Sequence, residues 1–205
     1  MKTFGITGGI GMGKSTAARI LSGRGVAVVD TDDLARQAVR AGEPALTEIK
    51  ETFGSPVLDA AGELNREALA RIVFTDLSAL KKLEAILHPR IRQLWQAQLE
   101  TWRGEGRALA AVVIPLLFET RAEIGFDAVI CVACTLATQQ QRLHSRGWTS
   151  EHIEQRRAAQ MPVADKMLQA NYVVWSEGDL DSLARQFDRI LFRVTRDCVR
   201  TQNHA

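Results

Sequence analysis

Eight residues near the start of the chain constrain the fold more than anything else in it. Gly8-Gly9-Ile10-Gly11-Met12-Gly13-Lys14-Ser15 follows the pattern G-x-x-x-x-G-K-[ST]. The apolar run Thr3 to Thr7 before it predicts a strand, and Lys14 to about Ser22 predicts a helix. Glycines let the backbone curl so that successive N–H groups face inward, where a Cβ would obstruct a phosphate. The helix that follows adds its positive N-terminal end. Lys14 can set a point charge on the β- and γ-phosphates, and the Ser15 hydroxyl can join the shell of a Mg²⁺ ion. A dinucleotide-binding reading fails, because Lys14 follows Gly11 where a third glycine belongs. The loop therefore predicts a nucleoside triphosphate site, without saying what is done there.

The rest of the chain alternates short apolar runs with longer amphipathic stretches. Val26 to Val29, Ala110 to Ile114, Phe126 to Ala133 and Tyr172 to Trp175 read as further strands. Their apolarity is continuous rather than alternating, as in strands covered on both faces, so the expected class is α/β with a doubly wound parallel sheet. Two segments interrupt the alternation. From about 35 to 106 there is helical periodicity with almost no strand signal, enough for a separate helical lobe. There Ile91, Leu94, Trp95, Leu99 and Trp102 mark one face of a helix that Pro89 can start. From about 136 to 170 the chain is helical and locally basic, with Arg142, Arg146, Arg156, Arg157 and Lys166, which reads as a hinged lid or as a solvated helical pair. The core then comprises about 1–34, 107–135 and 171–205.

Composition removes several classes. Over 205 residues, 46% are apolar and 24% charged, values of a globular rather than a disordered chain. A net charge of +2 is too small to attract nucleic acid or a membrane surface, so anion binding must come from a local arrangement. The most apolar stretch, Ala108 to Phe118, reaches about half a membrane span and contains Pro115. No charged-then-apolar leader precedes the first strand, and an odd count of three cysteines fits a reduced, cytoplasmic protein. Cys131 and Cys134 have C-x-x-C spacing without a second pair, inside an apolar run where core packing is the plainer reading.

Asp30 ends the second strand, and Asp32 and Asp33 follow at once. Ligands of open α/β sheets bind beyond the carboxyl ends of the strands, which would bring these side chains beside the phosphate loop. Phosphoryl transfer to an alcohol needs a carboxylate near the attacking hydroxyl and oxygen ligands for Mg²⁺, and D-x-D can supply both. The competing reading is that Thr31, Asp32 or Asp33 caps a helix beginning near Leu34. No Asn-Lys-x-Asp element reads guanine, and no aromatic-basic interleaving suggests a nucleic-acid motor. A small kinase remains, with an ATP-gated binding module as the alternative of another class.

The chain resembles the dephospho-CoA kinase family in Thr7 to Thr16, in Asp30-Thr31-Asp32 with Ala35-Arg36, in Leu87-His88-Pro89 with Ile91-Arg92, in Pro115-Leu116-Leu117-Phe118-Glu119, and in Arg142 to Gln160. The likeness runs from about residue 3 to 180 in the family's order. It implies a P-loop NTPase-type core, a helical acceptor lobe and a lid within a single kinase domain. ATP would phosphorylate the ribose 3′-hydroxyl of dephospho-CoA, giving coenzyme A and ADP. Gly9, Gly11, Met12, Gly13, Lys14, Ser15, Thr16, Arg142 and Arg146 would bind ATP. Asp32 would be the base, with Asp30, through water, and Ser15 at Mg²⁺, although the two-residue spacing allows either aspartate in either role. Asp32, His88, Arg92, Leu116, Leu117, Phe118 and Glu119 would line the acceptor side. Without the likeness His88 is a polar residue at a helix junction, Leu116 to Phe118 are strand-end core, and Glu119 starts a helix. Arg142 and Arg146, four residues apart on one helix face, would close over the β/γ-phosphates. The expected partners are the small acceptor alone, without nucleic acid or membrane, in a monomer or small homo-oligomer. Shikimate-like and nucleoside-monophosphate kinases share the phosphate loop and lid but lack the L-H-P and P-L-L-F-E elements. The chain departs from the family near its last strand, where Asn171 stands for Asp and Trp175-Ser176-Glu177-Gly178 follows, leaving adenine recognition by Ser176 open.

Overall fold

Strand β1 (Lys2–Thr7) is the middle strand of a five-stranded sheet in the computed structural model, which describes residues 1–202. The others are β2 (Ala27–Asp30), β3 (Leu109–Val113), β4 (Ala128–Ala133) and β5 (Tyr172–Trp175), in the order β2-β3-β1-β4-β5. β1 pairs in parallel with β3, Lys2 opposite Leu109, and with β4, Phe4 opposite Ala128. β4 pairs in parallel with β5, Ile130 opposite Tyr172. The sheet is thus the parallel α/β sheet that continuous apolar runs predict.

The chain forms two compact units, Met1–Val28 together with the residues from Trp102 onward, and Val29–Thr101. The first holds most of the sheet with α1 (Lys14–Ser22), α6 (Leu136–His144), α7 (Ser150–Ala158), α8 (Val163–Gln169) and α9 (Leu180–Gln202). Phe4 and Ile6 of β1, Leu21 of α1, Ile130 and Val132 of β4, and Phe187 and Val194 of α9 belong to one buried core. Gly5 leaves room on β1 for Leu117 and Phe126, whose carbons lie 2.5 and 2.9 Å from where a Cβ would be. The start of β1 is fastened by Asp127, which accepts from Thr3 N at 2.8 Å and from Lys2 Nζ at 2.9 Å. That bond sits outside the ladder, and β4 begins at Ala128 rather than Phe126. The last three residues of the expected core segment 171–205 lie outside the described residues.

The second unit contains α2 (Thr31–Ala38), α3 (Pro44–Phe53), α4 (Arg66–Thr75) and most of α5 (Leu77–Gly104). Its own core gathers Val39, Ile49, Val57, Leu69, Val73 and Ile86. Pro89 does not start a helix. It lies inside the 28 residues of α5, so His88 is a mid-helix residue rather than a junction. Proline removes one N–H, leaving the Ala85 carbonyl without its helical donor. Ala85 and Pro89 are both exposed, which leaves that carbonyl open to solvent, and Arg90 Nη1 supports the next carbonyl by donating to Ile86 O at 2.7 Å. Trp95 and Leu99 are buried as the periodicity predicts, whereas Leu94 is exposed. Among the described residues no helix is long and apolar enough to cross a membrane.

Candidate active site

The phosphate loop joins β1 to α1 as the motif predicts. Gly8, Gly11 and Gly13 all have positive φ, at 141°, 72° and 95°. At Gly8 a Cβ would lie 2.2 Å from the Val132 carbonyl oxygen, so no other residue fits there. Lys14 folds back over the loop and donates from Nζ to Gly8 O and Gly9 O, both at 2.9 Å. This holds the ammonium at the mouth of the loop. Ser15, one residue into α1, is exposed.

Side chains from α6 and from the turn after α7 brace the loop. Gln139 of α6, 2% exposed, donates from Nε2 to Ile10 O at 2.7 Å. Gln160, just after α7, accepts from Ile10 N at 3.2 Å. Arg142 turns toward Ser176, Nη1 donating to the hydroxyl and Nη2 to the carbonyl. The Ser176 hydroxyl in turn donates to Met12 O at 2.8 Å. Ser176 is therefore a strut of the phosphate loop, a role its place after the last strand did not announce. Gln139 and Gln160 were equally hidden, since uncharged side chains give no charge pattern to read.

Arg142 and Arg146 do not share a helix face. α6 ends at His144, and Ser145 N and Arg146 N bond back to Gln141 O and Leu143 O. Gly147, at φ 82°, turns the chain away before Arg146 can complete the helix. In α7 Arg156 lies over Trp148 at 6.0 Å, and Trp148 stacks on His152 at 4.3 Å. Burial lowers the Arg156 pKa from its ordinary value. Arg157 pairs with Glu154 at 2.7 Å.

After β3, Pro115 to Arg121 form turns rather than a helix, with Thr120 N bonded to Leu116 O at 3.0 Å. Glu119 therefore starts no helix. Its Oε1 accepts from Met161 N and pairs with Lys166 Nζ, both at 2.8 Å. Leu117 is fully enclosed on Gly5, the core position the plainer reading allows, whereas Leu116 is half-buried and Phe118 is 7% exposed. Asn171 has a structural task, its Oδ1 accepting from Val129 N at 2.8 Å. Glu177, with its pKa lowered to about 2 chiefly by the Thr135 hydroxyl and then by Thr138, ties the start of α6 to the end of β5.

In the second unit Asp30 is the N-cap of α2, its Oδ1 accepting from Asp32 N at 2.9 Å. The helix begins three residues before the expected Leu34, because Asp30, not one of the residues after it, supplies the cap. Asp32 and Asp33 are exposed in its first turn, and Asp33 pairs with Arg36 at 2.5 Å. His88 and Arg92, one turn apart on α5, are half-buried. Among the described residues no three His, Cys, Asp or Glu side chains gather as a metal cage. The Ser15 hydroxyl, exposed in the first turn of α1, is a hard oxygen of the kind Mg²⁺ takes.

A parallel sheet of this order, with a glycine loop wrapped by a lysine after its middle strand, defines a phosphate-loop fold of the nucleoside-triphosphate-binding class; shikimate kinase from Acinetobacter baumannii shares this fold at 15% identity, with a TM-score of 0.54 over 94% of each chain. The family model described as dephospho-CoA kinase matches residues 2–182, and the chain belongs to that family. Dephospho-CoA kinase of Bdellovibrio bacteriovorus is 42% identical over 191 residues, 93% of this chain and 95% of the relative. That of Anaeromyxobacter dehalogenans is 43% identical over 192 residues, 93% and 91% of the two chains. Among solved structures, dephospho-CoA kinase from Campylobacter jejuni superposes with a TM-score of 0.71 at 25% identity, covering 96% of this chain and 99% of that one. TT1252 from Thermus thermophilus superposes at 0.80 with 37% identity, over 94% and 97%.

Proposed function

We propose that the chain moves the γ-phosphoryl group of ATP to the ribose 3′-hydroxyl of dephospho-CoA, releasing ADP and coenzyme A. The observation that carries this reading is Lys14 folded across a glycine loop, in a chain that the dephospho-CoA kinase family model matches over residues 2–182.

The loop amides from Gly9 to Thr16 take the β-phosphate, and Lys14 neutralises charge as it spreads over the transferring group. Asp32 receives the proton of the attacking ribose hydroxyl; its exposure in the first turn of α2, at the carboxyl end of β2, supports that role. The oxygen–phosphorus bond to the ribose forms as the bond to the ADP oxygen breaks, and ADP leaves with that electron pair. Ser15 and, through water, Asp30 would hold Mg²⁺, which would supply positive charge against the charge that builds up on the phosphates. Arg142 lies at the loop through Ser176 and is the lid guanidinium assigned to the phosphates, with Arg146 reaching them from the turn after α6. His88, Arg92, Leu116, Leu117, Phe118 and Glu119 are assigned to the acceptor. Residues 35–106 form the acceptor lobe and 136–170 the lid. The protein works in the cytoplasm, on a small acceptor rather than on nucleic acid or a membrane.

Incubation with Mg-ATP and dephospho-CoA, followed by mass spectrometry of the acceptor, tests this. An acceptor heavier by one phosphate is expected. Nucleotide binding with slow hydrolysis and an unchanged acceptor would make the chain an ATP-gated binding module. Phosphate on shikimate or a nucleoside monophosphate instead would move it to another kinase class.

A further inference from the structure

Among the described residues, Lys166 of α8 is a charged side chain fully shut off from solvent, at 0% exposure. A buried ammonium is costly unless it is paired and hydrogen-bonded. Here Nζ donates to Pro115 O at 2.6 Å and pairs with Glu119 Oε1 at 2.8 Å. Pro115 O also accepts from the hydroxyl of Thr7, the last residue before the phosphate loop, at 3.2 Å. Glu119 Oε1 also accepts from Met161 N, and the neighbouring Gln160 accepts from Ile10 N inside that loop.

These contacts close on themselves. From Thr7 the path runs through Pro115, Lys166, Glu119 and Met161 to Gln160, and returns through Ile10. One ammonium thus sits between the root of the phosphate loop, its tip, the turn after β3 and the lid. We propose that Lys166 is a positioning residue, setting the phosphate loop against the Pro115–Glu119 turn through this ring. Buried ion pairs can often be exchanged for apolar side chains without loss of stability, so stability alone does not account for a charge here. Geometry does: only a donor reaching two acceptors at once fixes the distance between the Pro115 carbonyl and the Glu119 carboxylate. The ring needs no particular acceptor, but its effect on turnover rests on the kinase reading above.

The test is K166M, a replacement of similar length without the charge, compared with wild type in three measurements. These are turnover with Mg-ATP and dephospho-CoA, the Kd for ATP, and hydrogen exchange at the Ile10 amide. Misplacing reacting groups by about 1 Å can cost about 100-fold. K166M should lose about 10-fold or more in kcat, keep its ATP Kd within about 3-fold, and exchange the Ile10 proton faster. Wild-type kcat with unchanged Ile10 exchange would overturn the proposal, as would a lost kcat with unchanged exchange and a matching fall in melting temperature. If K166M does not fold, Q160L cuts the ring at a half-buried side chain. It should lower kcat similarly at an unchanged melting temperature, and wild-type kcat there would equally overturn the proposal. Ile10 exchange requires no acceptor, so a wrong acceptor assignment and a wrong ring give different results.

Discussion

The Arg142 guanidinium grips Ser176 at two points, Nη1 on the hydroxyl at 2.9 Å and Nη2 on the carbonyl at 2.6 Å. Ser176 passes that hold to Met12 O, so an arginine of α6 and the phosphate loop share one small hydroxyl. Ser176→Ala should release both partners. Leaving a buried carbonyl and one guanidinium donor unmatched costs about 1–3 kcal/mol. Chemical denaturation should show that loss, together with a higher Kd for ATP. An unchanged midpoint and Kd would mean the bridge holds nothing in place.

Asp32→Asn keeps the shape of the proposed base and removes its basicity. ATP affinity should stay near that of wild type while kcat falls by about 100-fold or more, the scale of a positioned general base. Full turnover in D32N would take the base role away from Asp32.

Lys14→Ala removes the donor to Gly8 O and Gly9 O along with the charge meant for the phosphates. Calorimetric ATP affinity and kcat should both fall, because the lysine acts in the ground state and the transition state alike. Equal kinetics in K14A would leave the loop without its assigned chemistry.

Glu177 gives a pH signature. Its pKa of about 2 lies below the ordinary 4.5, chiefly because the Thr135 hydroxyl bonds its charged form. The folded carboxyl therefore holds its proton less tightly than the unfolded one. Its contribution to stability is complete above about pH 4.5 and is lost as the pH falls toward 2. Melting temperatures of wild type and Glu177→Gln should converge on acidification across that window. A gap that stays constant would show that the ionised form is not favoured.

Burial in β4 pushes the Cys131 thiol up to about 11, and Cys134 is raised for the same reason. At pH 8 neither should react with a thiol reagent in the native protein, and both should after denaturation, as peptide mapping can show. Rapid native labelling at Cys131 would contradict its place in the core.

Where one stretch of chain carries its own signal, the sequence reads well. The helix after the phosphate loop runs from Lys14 to Ser22 as its pattern predicts, and β5 spans Tyr172–Trp175. Continuous apolarity also gave away the parallel sheet. Pro89 misled because a proline's usual helix-breaking effect yields when the deprived carbonyl faces water. Arg146 misled because spacing of four implies a shared face only while the helix lasts, and Gly147 ends it. The bracing of the phosphate loop was illegible for another reason. Gln139, Gln160, Lys166 and Ser176 act through partners far away in sequence, such as Ile10 and Pro115, and no local pattern records a contact of that kind.

The placing of β1 bears on how the molecule comes into being. Of the sheet's five strands, the one made first ends at the centre, and both of its neighbours are made roughly a hundred residues later. At about 5–20 residues per second of synthesis, it waits on the order of 5–20 s with both edges unpaired. For that interval the nascent chain carries an apolar ribbon whose open edges invite mispairing.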